Sequence, residues 1–345
     1  MAAASETPIR TGVLRSDVAP TVQIRDGIEI LLDAGERVVA DASAPDGDIN
    51  ILSHAHGDHL YSSPPAELVC SETTAALAAS RRPDSDRPTV IEHPRVELLE
   101  SGHIAGSRAA LIEDESATVL YTGDVSTRDR FYLTGFNPVP ADVLIVEATY
   151  GKPTYDLPPQ DDVEAAFVDW LDETMDAPVI AFGYTLGRAQ ELLLLGDRSA
   201  RTRVLTTDAI DRINRVIESE MDVEFDTEAY DTEIDLEAGD FLVLPSQTNR
   251  LTWVESLVDD AEAITVGVSG WAVESSFKFR AGYDETFALS DHCGFTELLD
   301  LVEAVDPEIV YTNHGFTTEL AQEITSRLGY RTQALQRNQT TLGDF

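Results

Sequence analysis

The chain has 345 residues, which fits two units of about 100–200 residues each or one unit with a large insertion. Its 24 Lys and Arg residues face 63 Asp and Glu residues, which gives a formal net charge of -39, while 43% of the residues are hydrophobic. That hydrophobic fraction excludes a disordered acidic chain and predicts a folded protein with an extremely acidic surface.

Lysine occurs only at Lys152 and Lys278, so arginine supplies every other strong base. A surface rich in carboxylates and poor in lysine indicates adaptation to a salt-rich, halophilic cytoplasm. In molar salt the Debye length falls to about 3 Å, so surface charge is screened. The acidic composition therefore does not exclude a nucleic-acid partner, but contacts at the site must supply the binding.

The two cysteines, Cys70 and Cys293, can form at most one disulfide, which excludes a disulfide framework and favours a reducing compartment. The first residues, Met-Ala-Ala-Ala-Ser-Glu, lack the basic and apolar regions of a secretory signal. The longest apolar runs, at 143–146 and 192–195, are far too short to cross a membrane. We therefore expect a cytoplasmic protein with no membrane partner.

Strand and helix patterns alternate along the first part of the chain. Strands are predicted at 28–32, 49–52, 118–121 and 143–146, and a helix is predicted at 73–80. This interleaving predicts an α/β fold.

A turn-rich segment after Gly151, with prolines at 153, 158 and 159, predicts the start of a second, smaller α/β unit. Its predicted elements are helices at 163–172, 187–195 and 210–218, an acidic connector at 222–240, and strands at 178–182, 203–206, 241–244 and 264–268. After Gly282 the pattern predicts strands at 286–289 and 309–311 and helices at 295–305 and 318–327.

Four residues of metal-binding type follow the strand at 49–52 directly: His54, His56, Asp58 and His59. Alternate residues of an extended segment face the same side, so His54 and His56 can share one metal ion. Asp58 and His59 lie on the turn that follows and can reach a second ion. The spacing predicts a site for two metals.

Further candidate site residues lie beyond this cluster. The chain has seven histidines, and the candidates among the rest are His103 between two glycines, His292 after Ser290-Asp291, and His314 after the strand at 309–311, whereas His93 before Pro94 has no such setting. Asp124 and Glu147 each end an apolar strand. A carboxylate in that position is a stronger candidate than an arbitrary surface acid.

The order His54-x-His56-x-Asp58-His59, His103, Asp124 resembles the metallo-β-lactamase fold. The segments similar to its β-CASP nuclease branch are Glu147 to Gly151, Gly187 to Glu191, Ser290-Asp291-His292 and Thr312-Asn313-His314-Gly315. That branch includes the eukaryotic pre-mRNA 3′-end cleavage factor, ribonuclease J and Artemis-type DNA nucleases. The resemblance runs from about Gly27 to about Leu335.

The resemblance implies an αββα metallo-β-lactamase sandwich, formed by residues 1–150 and 286–345, that is interrupted by an α/β β-CASP domain at 151–285. It implies two Zn²⁺ ions, with Mn²⁺ as the alternative metal, and it allows a homodimer. The implied ligands are His54, His56 and His103 for one ion, Asp58, His59 and His314 for the other, and Asp124 between them. Asp41 resembles the family's first acidic motif, whose residue orients the ligands, and Asp33 is a competing match.

Two divalent cations about 3.5–4 Å apart lower the pKa of a water held between them and stabilise the entering and leaving oxygens at phosphorus. The leaving oxygen also needs a proton, and His292 is the unassigned histidine best suited to give it. The resemblance pairs His292 with Glu147. We therefore expect catalytic roles for His292, Glu147 and Asp58.

Arg188, Lys278 and Arg280 are candidate ligands of substrate phosphates. The guanidinium fork matches phosphate oxygens, and lysine is rare in this chain. The alternative for all three is an ordinary surface or structural salt bridge.

Other reactive or aromatic side chains near these motifs have simpler explanations. Tyr150, Phe182 and Tyr184 could stack on bases, but aromatics beside buried strands more often belong to the core. Cys293, next to His292, is expected to be a buried hydrophobe rather than a nucleophile.

Within the resemblance, His314 indicates RNA, because Artemis-type DNA nucleases carry valine in that motif. Members associated with DNA ligase also end in a Thr-His-Gly-like motif, and the segment 268–271 with Ser290-Asp291-His292 is similar to theirs. We therefore expect a nuclease for single-stranded nucleic acid, acting in RNA processing, with a DNA exonuclease as the alternative.

Two alternatives that are not nucleases stay open, because fold alone does not fix function. The first is a hydrolase of a small thiolester or lactone, which the β-CASP motifs disfavour. The second is an inactive scaffold subunit, which the complete set of ligands disfavours.

Overall fold

A computed structural model describes residues 20–82 and 87–335. The predicted absence of a secretory signal concerns residues that lie outside this part, as do the outer ends of the predicted segments 1–150 and 286–345. The strands in the described part are β1 (Thr21–Ile24), β2 (Ile28–Leu31), β3 (Arg37–Ala40), β4 (Ile49–Ile51), β5 (Glu67–Leu68), β6 (Thr89–Val90), β7 (Val96–Glu100), β8 (Arg108–Glu113), β9 (Thr118–Tyr121), β10 (Val143–Ala148), β11 (Val179–Gly183), β12 (Arg203–Thr206), β13 (Glu228–Ala229), β14 (Asp240–Pro245), β15 (Ile264–Val268), β16 (Glu285–Phe287), β17 (Ile309–Gly315) and β18 (Arg331–Ala334).

The α-helices of the same part are α1 (Glu72–Arg81), α2 (Gln160–Glu173), α3 (Arg188–Asp197), α4 (Asp208–Glu220), α5 (Thr252–Ala261), α6 (Ser276–Ala281), α7 (Phe295–Val305) and α8 (Thr317–Leu328). The interleaved order confirms the predicted α/β class. Among the residues described, no helix combines the length and the apolar character that crossing a membrane requires.

Two sheets pack face to face and, with the helices that cover them, are called the first unit below; the third sheet and its helices are called the second unit. One has four strands in the order β1-β2-β3-β4, and the other has six in the order β18-β17-β10-β9-β8-β7. Their shared core joins Ile30 and Val38 of the smaller sheet to Ile112, Tyr121 and Ile145 of the larger one. The opposite face of the larger sheet is covered by α7 and α8. Short β5 and β6 form a separate parallel pair.

The third sheet is entirely parallel, with the order β13-β12-β14-β11-β15-β16. Its central strands β11 and β14 are buried on both faces. Along β11, Val179 and Ala181 pack on the side of α2, α3 and α4, while Ile180 and Phe182 pack on the side of α5. Helix α1 of the first unit lies against α4, so one continuous core joins the two units.

The strand directions bring the predicted site residues together. β10 runs parallel to both β9 and β17, and β3 runs parallel to β4. Asp124 follows β9, Glu147 lies near the end of β10, His314 lies near the end of β17, and His54 follows β4. Because the carboxyl ends of parallel strands meet at one edge, these side chains converge at the junction with the third sheet.

The structure also extends several predicted elements. β10 and β17 continue beyond the predicted apolar runs and include Glu147 and His314. The strand predicted at 286–289 forms as β16, which pairs with β15 of the third sheet. The acidic connector predicted at 222–240 contains β13. The division into 1–150, 151–285 and 286–345 stays a prediction.

Candidate metal centre

Two groups of ligand-type side chains share one carboxylate. His54, His56, His103 and Asp124 form the first group, and His59, His314 and Asp124 form the second; the ligand atoms within each group lie within 4.8 Å of one another. The shared residue follows Gly123, which has a φ of +56°. A Cβ added to Gly123 would lie 2.6 Å from Ser53 Cβ, so this position has no room for a side chain.

The carboxylate of Asp124 lies between the imidazoles of both groups. Its Oδ2 atom is 3.4 Å from His54 Nε2, 3.6 Å from His103 Nε2 and 3.6 Å from His59 Nε2. Its Oδ1 atom is 3.8 Å from His314 Nδ1. One carboxylate can therefore contact an ion in each group.

Hydrogen bonds to the protein fix one nitrogen of two imidazoles in the first group. His103 Nδ1 donates to the carbonyl oxygen of Asp291 at 2.9 Å, and His56 Nε2 donates to that of Leu186 at 3.1 Å. This leaves His56 Nδ1 and His103 Nε2, which lie 3.1 Å apart. Such outer hydrogen bonds set the tautomer of a metal-binding histidine and leave one nitrogen free for the ion.

Asp41 orients the remaining buried histidines. Its Oδ2 atom accepts hydrogen bonds from His59 Nδ1 at 2.9 Å, Tyr121 Oη at 2.7 Å and Ser53 Oγ at 2.5 Å, while Oδ1 accepts from the Ser53 backbone at 2.7 Å. Ser53 Oγ in turn lies 2.9 Å from His54 Nδ1. Asp41 therefore takes the position that the resemblance implied, whereas Asp33 is exposed and its backbone bonds Asp114.

The free nitrogens of this set fit metal ions. His54 Nε2 and His59 Nε2 are buried, and neither has a hydrogen-bond partner among the described residues. A buried polar atom without a partner costs about 1–3 kcal/mol, so the arrangement is incomplete without a ligand. Imidazole nitrogens and carboxylate oxygens are the donors that Zn²⁺ takes in catalytic sites. The residues present therefore fit divalent cations.

The protonation states agree with metal binding in the first group. Burial lowers the pKa of His103 to about 3 and holds the pKa of His54 well below its ordinary value. Both imidazoles are neutral, which is the form that binds metal. Burial also opposes a charge on His59, but the carboxylates of Asp124 and Asp41 outweigh it and raise the pKa of His59 to about 9.

The buried Glu147 and the partly buried His292 form a pair beside the two groups. Glu147 Oε1 accepts from His292 Nδ1 at 2.7 Å, and its Oε2 accepts from the backbone of Thr149 at 3.0 Å. Burial would lower the pKa of His292, but the charge and hydrogen bond of Glu147 outweigh burial and raise the pKa to about 10. His292 is therefore protonated at neutral pH in this environment.

A cavity of about 940 Å³ opens onto the metal centre and continues along the carboxyl end of the third sheet. Its lining includes His56, Asp58, Asp124, His292 and His314. Asp58 is 77% exposed, with Oδ2 3.9 Å from His59 Nε2. Of the seven predicted metal ligands, four therefore line this cavity, while His54, His59 and His103 are buried beside them, as is Glu147.

The predicted phosphate ligands are placed differently from one another. Arg188 lines the cavity, but it is buried and forms ion pairs with Glu191 and with Asp291, the latter at 3.2 Å. Glu191 is also paired with the buried Arg130, which donates to the His103 carbonyl oxygen at 2.7 Å. Arg188 therefore belongs to a buried charge network behind the first metal group.

Lys278 and Arg280 lie on α6 and do not line the cavity. Lys278 Nζ is 3.2 Å from Glu285, and Arg280 is 3.7 Å from Glu274 with 67% of its side chain exposed. These are surface ion pairs, which generally contribute little energy.

Sequence reasoning missed three residues that support the site. Ser53 and Tyr121 orient ligands through Asp41, and the Asp291 backbone holds His103. Tyr121 ends an apolar strand and is therefore indistinguishable from a core aromatic in the sequence. Asp291 did carry a signal, because it lies in the motif Ser290-Asp291-His292.

Comparisons with known proteins relate the chain to nucleic-acid enzymes. No family model matches it. A probable DNA ligase from Opitutus terrae is 32% identical over 309 residues, which cover 85% of this chain and 29% of that protein. An RNase J-like protein from Methanocaldococcus jannaschii is 28% identical over 195 residues, which cover 47% of this chain and 46% of the relative.

A cleavage and polyadenylation specificity factor subunit 3 from Dictyostelium discoideum is 36% identical over 117 residues, which cover 31% of this chain and 14% of that protein. The chain thus spans less than half the length of each of these relatives. A crystal structure of a protein of unknown function from Enterococcus faecalis matches with a TM-score of 0.59 and 13% identity, covering 92% of this chain and 97% of that one. This likeness shows a shared fold.

Proposed function

Because this chain belongs to the β-CASP family of metallo-β-lactamase-fold proteins, we propose that it is a metal-dependent nuclease that hydrolyses phosphodiester bonds of single-stranded RNA. The observation that carries the proposal is the position of Asp124, whose one carboxylate lies within 3.8 Å of imidazoles from both ligand groups. Two cations held by ligand groups that share this residue would be suited to displacement at phosphorus. The RNase J-like and cleavage-factor relatives favour RNA.

We assign two Zn²⁺ ions, or Mn²⁺ in their place, to these groups. His54, His56 and His103 would hold one ion, and Asp58, His59 and His314 the other, with Asp124 between them. When bound, the ions supply an activated water and neutralise charge on the phosphate oxygens.

Two residues of the protein would supply the proton for the leaving oxygen and fix the orientation of its donor. With Nδ1 bonded to Glu147, His292 has only Nε2 left for the substrate. We assign to His292 the donation of a proton to the leaving oxygen, a role typically worth about 10²–10⁴ in rate. The Glu147 carboxylate keeps His292 protonated and fixes its ring.

The domain division of the resemblance accounts for the location of the site. We propose an αββα sandwich from residues 1–150 and 286–345 with a β-CASP insertion at 151–285. It is supported by the larger first-unit sheet, which takes β7 to β10 from before the insertion and β17 and β18 from after it. The insertion would then provide the wall of the cavity opposite the metal ligands.

A DNA exonuclease is the second candidate. A probable DNA ligase matches over 85% of this chain and 29% of its own length. Ions held at this centre would neutralise charge on phosphate oxygens, which RNA and DNA share, so the centre would suit either nucleic acid.

The setting of the enzyme follows from its composition. We propose a halophilic, reducing, cytoplasmic environment, supported by the net charge of -39 and by two buried free cysteines. A homodimer is compatible with the family.

Digestion of matched single-stranded RNA and DNA oligomers tests the function. Each oligomer is labelled at either end and incubated in concentrated KCl with Zn²⁺ or Mn²⁺, with Asp124→Asn as the blank. Metal-dependent products from RNA that the blank lacks support the proposal, and the label lost first gives the polarity. Cleavage of DNA alone selects the second candidate, and thiolester hydrolysis without any cleavage of nucleic acid refutes both.

A further inference from the structure

The cavity beside the metal centre is lined by two arginines, Arg81 and Arg188, within the part of the chain that the structure describes. Arg188 forms salt bridges with Glu191 and Asp291. Arg81 forms no salt bridge with any described carboxylate, and its side-chain hydrogen bond to Thr185 is a long one, 3.4 Å from Nη1 to Oγ1. Arg81 is therefore the cavity arginine whose charge is available to a ligand.

The guanidinium of Arg81 lies next to the metal-binding loop. Arg81 is the last residue of α1, and a Cβ built on Gly57, between His56 and Asp58, would be 3.7 Å from Arg81 Nη2. Its partner Thr185 follows β11 of the third sheet. Arg81 thus reaches across the cavity from the first unit toward the third sheet.

The partial burial of Arg81 has an energetic consequence. Burial lowers its pKa, and the charges of Arg82 and Asp58 act in opposite directions. The guanidinium stays charged in any case, since arginine is not deprotonated in proteins. A half-buried cation with no direct counter-ion among the described residues is well suited to a phosphate, which it can bind with paired N–H donors.

The three aromatic residues considered for base stacking differ in the exposed fraction of their side chains. Tyr150 and Phe182 are 3% and 4% exposed and belong to the core, whereas Tyr184 is 67% exposed. Tyr184 lines the same cavity, directly before Thr185, and its ring centroid lies 6.2 Å from that of His56. It offers a free aromatic face beside the metal centre and beside Arg81.

We propose that Arg81 and Tyr184 form a nucleotide-binding subsite at the mouth of this cavity. Arg81 binds the phosphate next to the cleaved bond, and Tyr184 stacks on the adjoining base. The inference rests on the proposed nuclease function and adds how the substrate is positioned. It also fits an acidic protein in concentrated salt, where long-range attraction is screened and contacts within the site must hold the strand.

Substrate and protein changes can be combined to test the phosphate contact. Methylphosphonate replaces one phosphate at a time along an oligomer, which removes a single negative charge. In the wild type, replacement at one position next to the cleaved bond should lower kcat/KM about 10- to 100-fold, as expected for one charge-assisted hydrogen bond.

Arg81→Gln should show a similar fall in kcat/KM with the unmodified oligomer. Methylphosphonate at the sensitive position should then lower kcat/KM of this variant no further. Arg81→Lys, which keeps the charge, should recover part of the rate. Arg215→Gln is the matched control, because Arg215 is 73% exposed on α4 and pairs with Asp211. It should keep the wild-type profile at every position.

The stacking contact is tested with an abasic nucleotide in the same way. Tyr184→Ala should lower kcat/KM about 5- to 100-fold and then become insensitive to an abasic nucleotide at one position, while Tyr184→Phe keeps the wild-type response. The subsite is overturned if kcat/KM of Arg81→Gln falls as much as that of the wild type at every methylphosphonate position. It is also overturned if kcat/KM of Tyr184→Ala falls as much as that of the wild type at every abasic position.

Failure of the subsite and failure of the nuclease function give different results. A wild type that cleaves neither RNA nor DNA refutes the function. The same series of oligomers, measured by fluorescence anisotropy on metal-loaded protein, then decides the subsite: equal affinities for wild type, Arg81→Gln and Tyr184→Ala overturn it. Matching melting temperatures for the variants show that the comparison is made on folded protein.

Discussion

Replacing Asp41 by asparagine should weaken metal binding while all seven proposed metal ligands stay in place. Asp41 accepts four hydrogen bonds, three on Oδ2 and one on Oδ1, and its side chain is 5% exposed. An asparagine has one oxygen and one NH2 group, so in either orientation at least one buried donor faces another donor. Each such loss costs about 1–3 kcal/mol, and His59 and Ser53 lose their fixed orientation.

The expected effect on the metal centre is about 10- to 100-fold weaker affinity, the usual consequence of losing a hydrogen bond that orients a ligand. That range equals about 1.4–2.8 kcal/mol of binding free energy. Competition of Zn²⁺ against a chromogenic chelator, in concentrated KCl, measures it directly. Asp33→Asn is the matched control, because Asp33 is the competing match in the sequence and is exposed. Equal Zn²⁺ affinities for the two variants would refute the role of Asp41.

Three further outcomes are expected. Glu147→Gln should lower kcat about 10²–10⁴-fold while the metal content stays the same, because His292 loses the charge that orients and protonates it; an unchanged kcat, measured under single-turnover conditions, would show that the pair is structural. Burial raises the pKa of both Cys70 and Cys293 to about 12, so neither thiol should react with a thiol reagent at pH 8 until the protein unfolds; rapid reaction of the native protein would contradict their burial. Dilution of KCl from molar concentration to about 0.1 M should lower the melting temperature through repulsion between carboxylates, and a melting temperature independent of KCl would argue against salt adaptation.

The sequence predicted best where local pattern decides structure. The helix predicted at 295–305 and the strands predicted at 118–121, 203–206 and 264–268 form with those bounds. The candidate site could also be predicted from the sequence, because ligand-type residues follow strand ends in a recognisable order. For Asp124, Glu147 and His314, the convergence follows from parallel strands that meet at one edge.

Where tertiary contacts decide, the sequence predicted less. Helix α5 was missed, and Val254 is the one residue of this helix that is buried. The strand at 309–311 was predicted too short, since Thr312 and Asn313 look like loop residues but are buried in β17. Polar residues that are buried in the core look like surface residues in a sequence.

The charged residues show the same limit. Arg188, Lys278 and Arg280 were all candidates in the sequence, and the structure distinguishes them by burial, by position relative to the cavity and by carboxylate partners. Arg81 carried no signal, because its position in the cavity depends on the packing of α1 against the second unit.

The central claim is that two metal ions act together at the centre built around Asp124. Metal-free protein, titrated with Zn²⁺ or Mn²⁺ while cleavage of a labelled RNA oligomer is followed in a single turnover, tests this claim most directly. We expect little cleavage after the first equivalent per chain, full activity at two equivalents, and none at either stage for Asp124→Asn. Full activity at one equivalent, or cleavage by the metal-free protein, would contradict it.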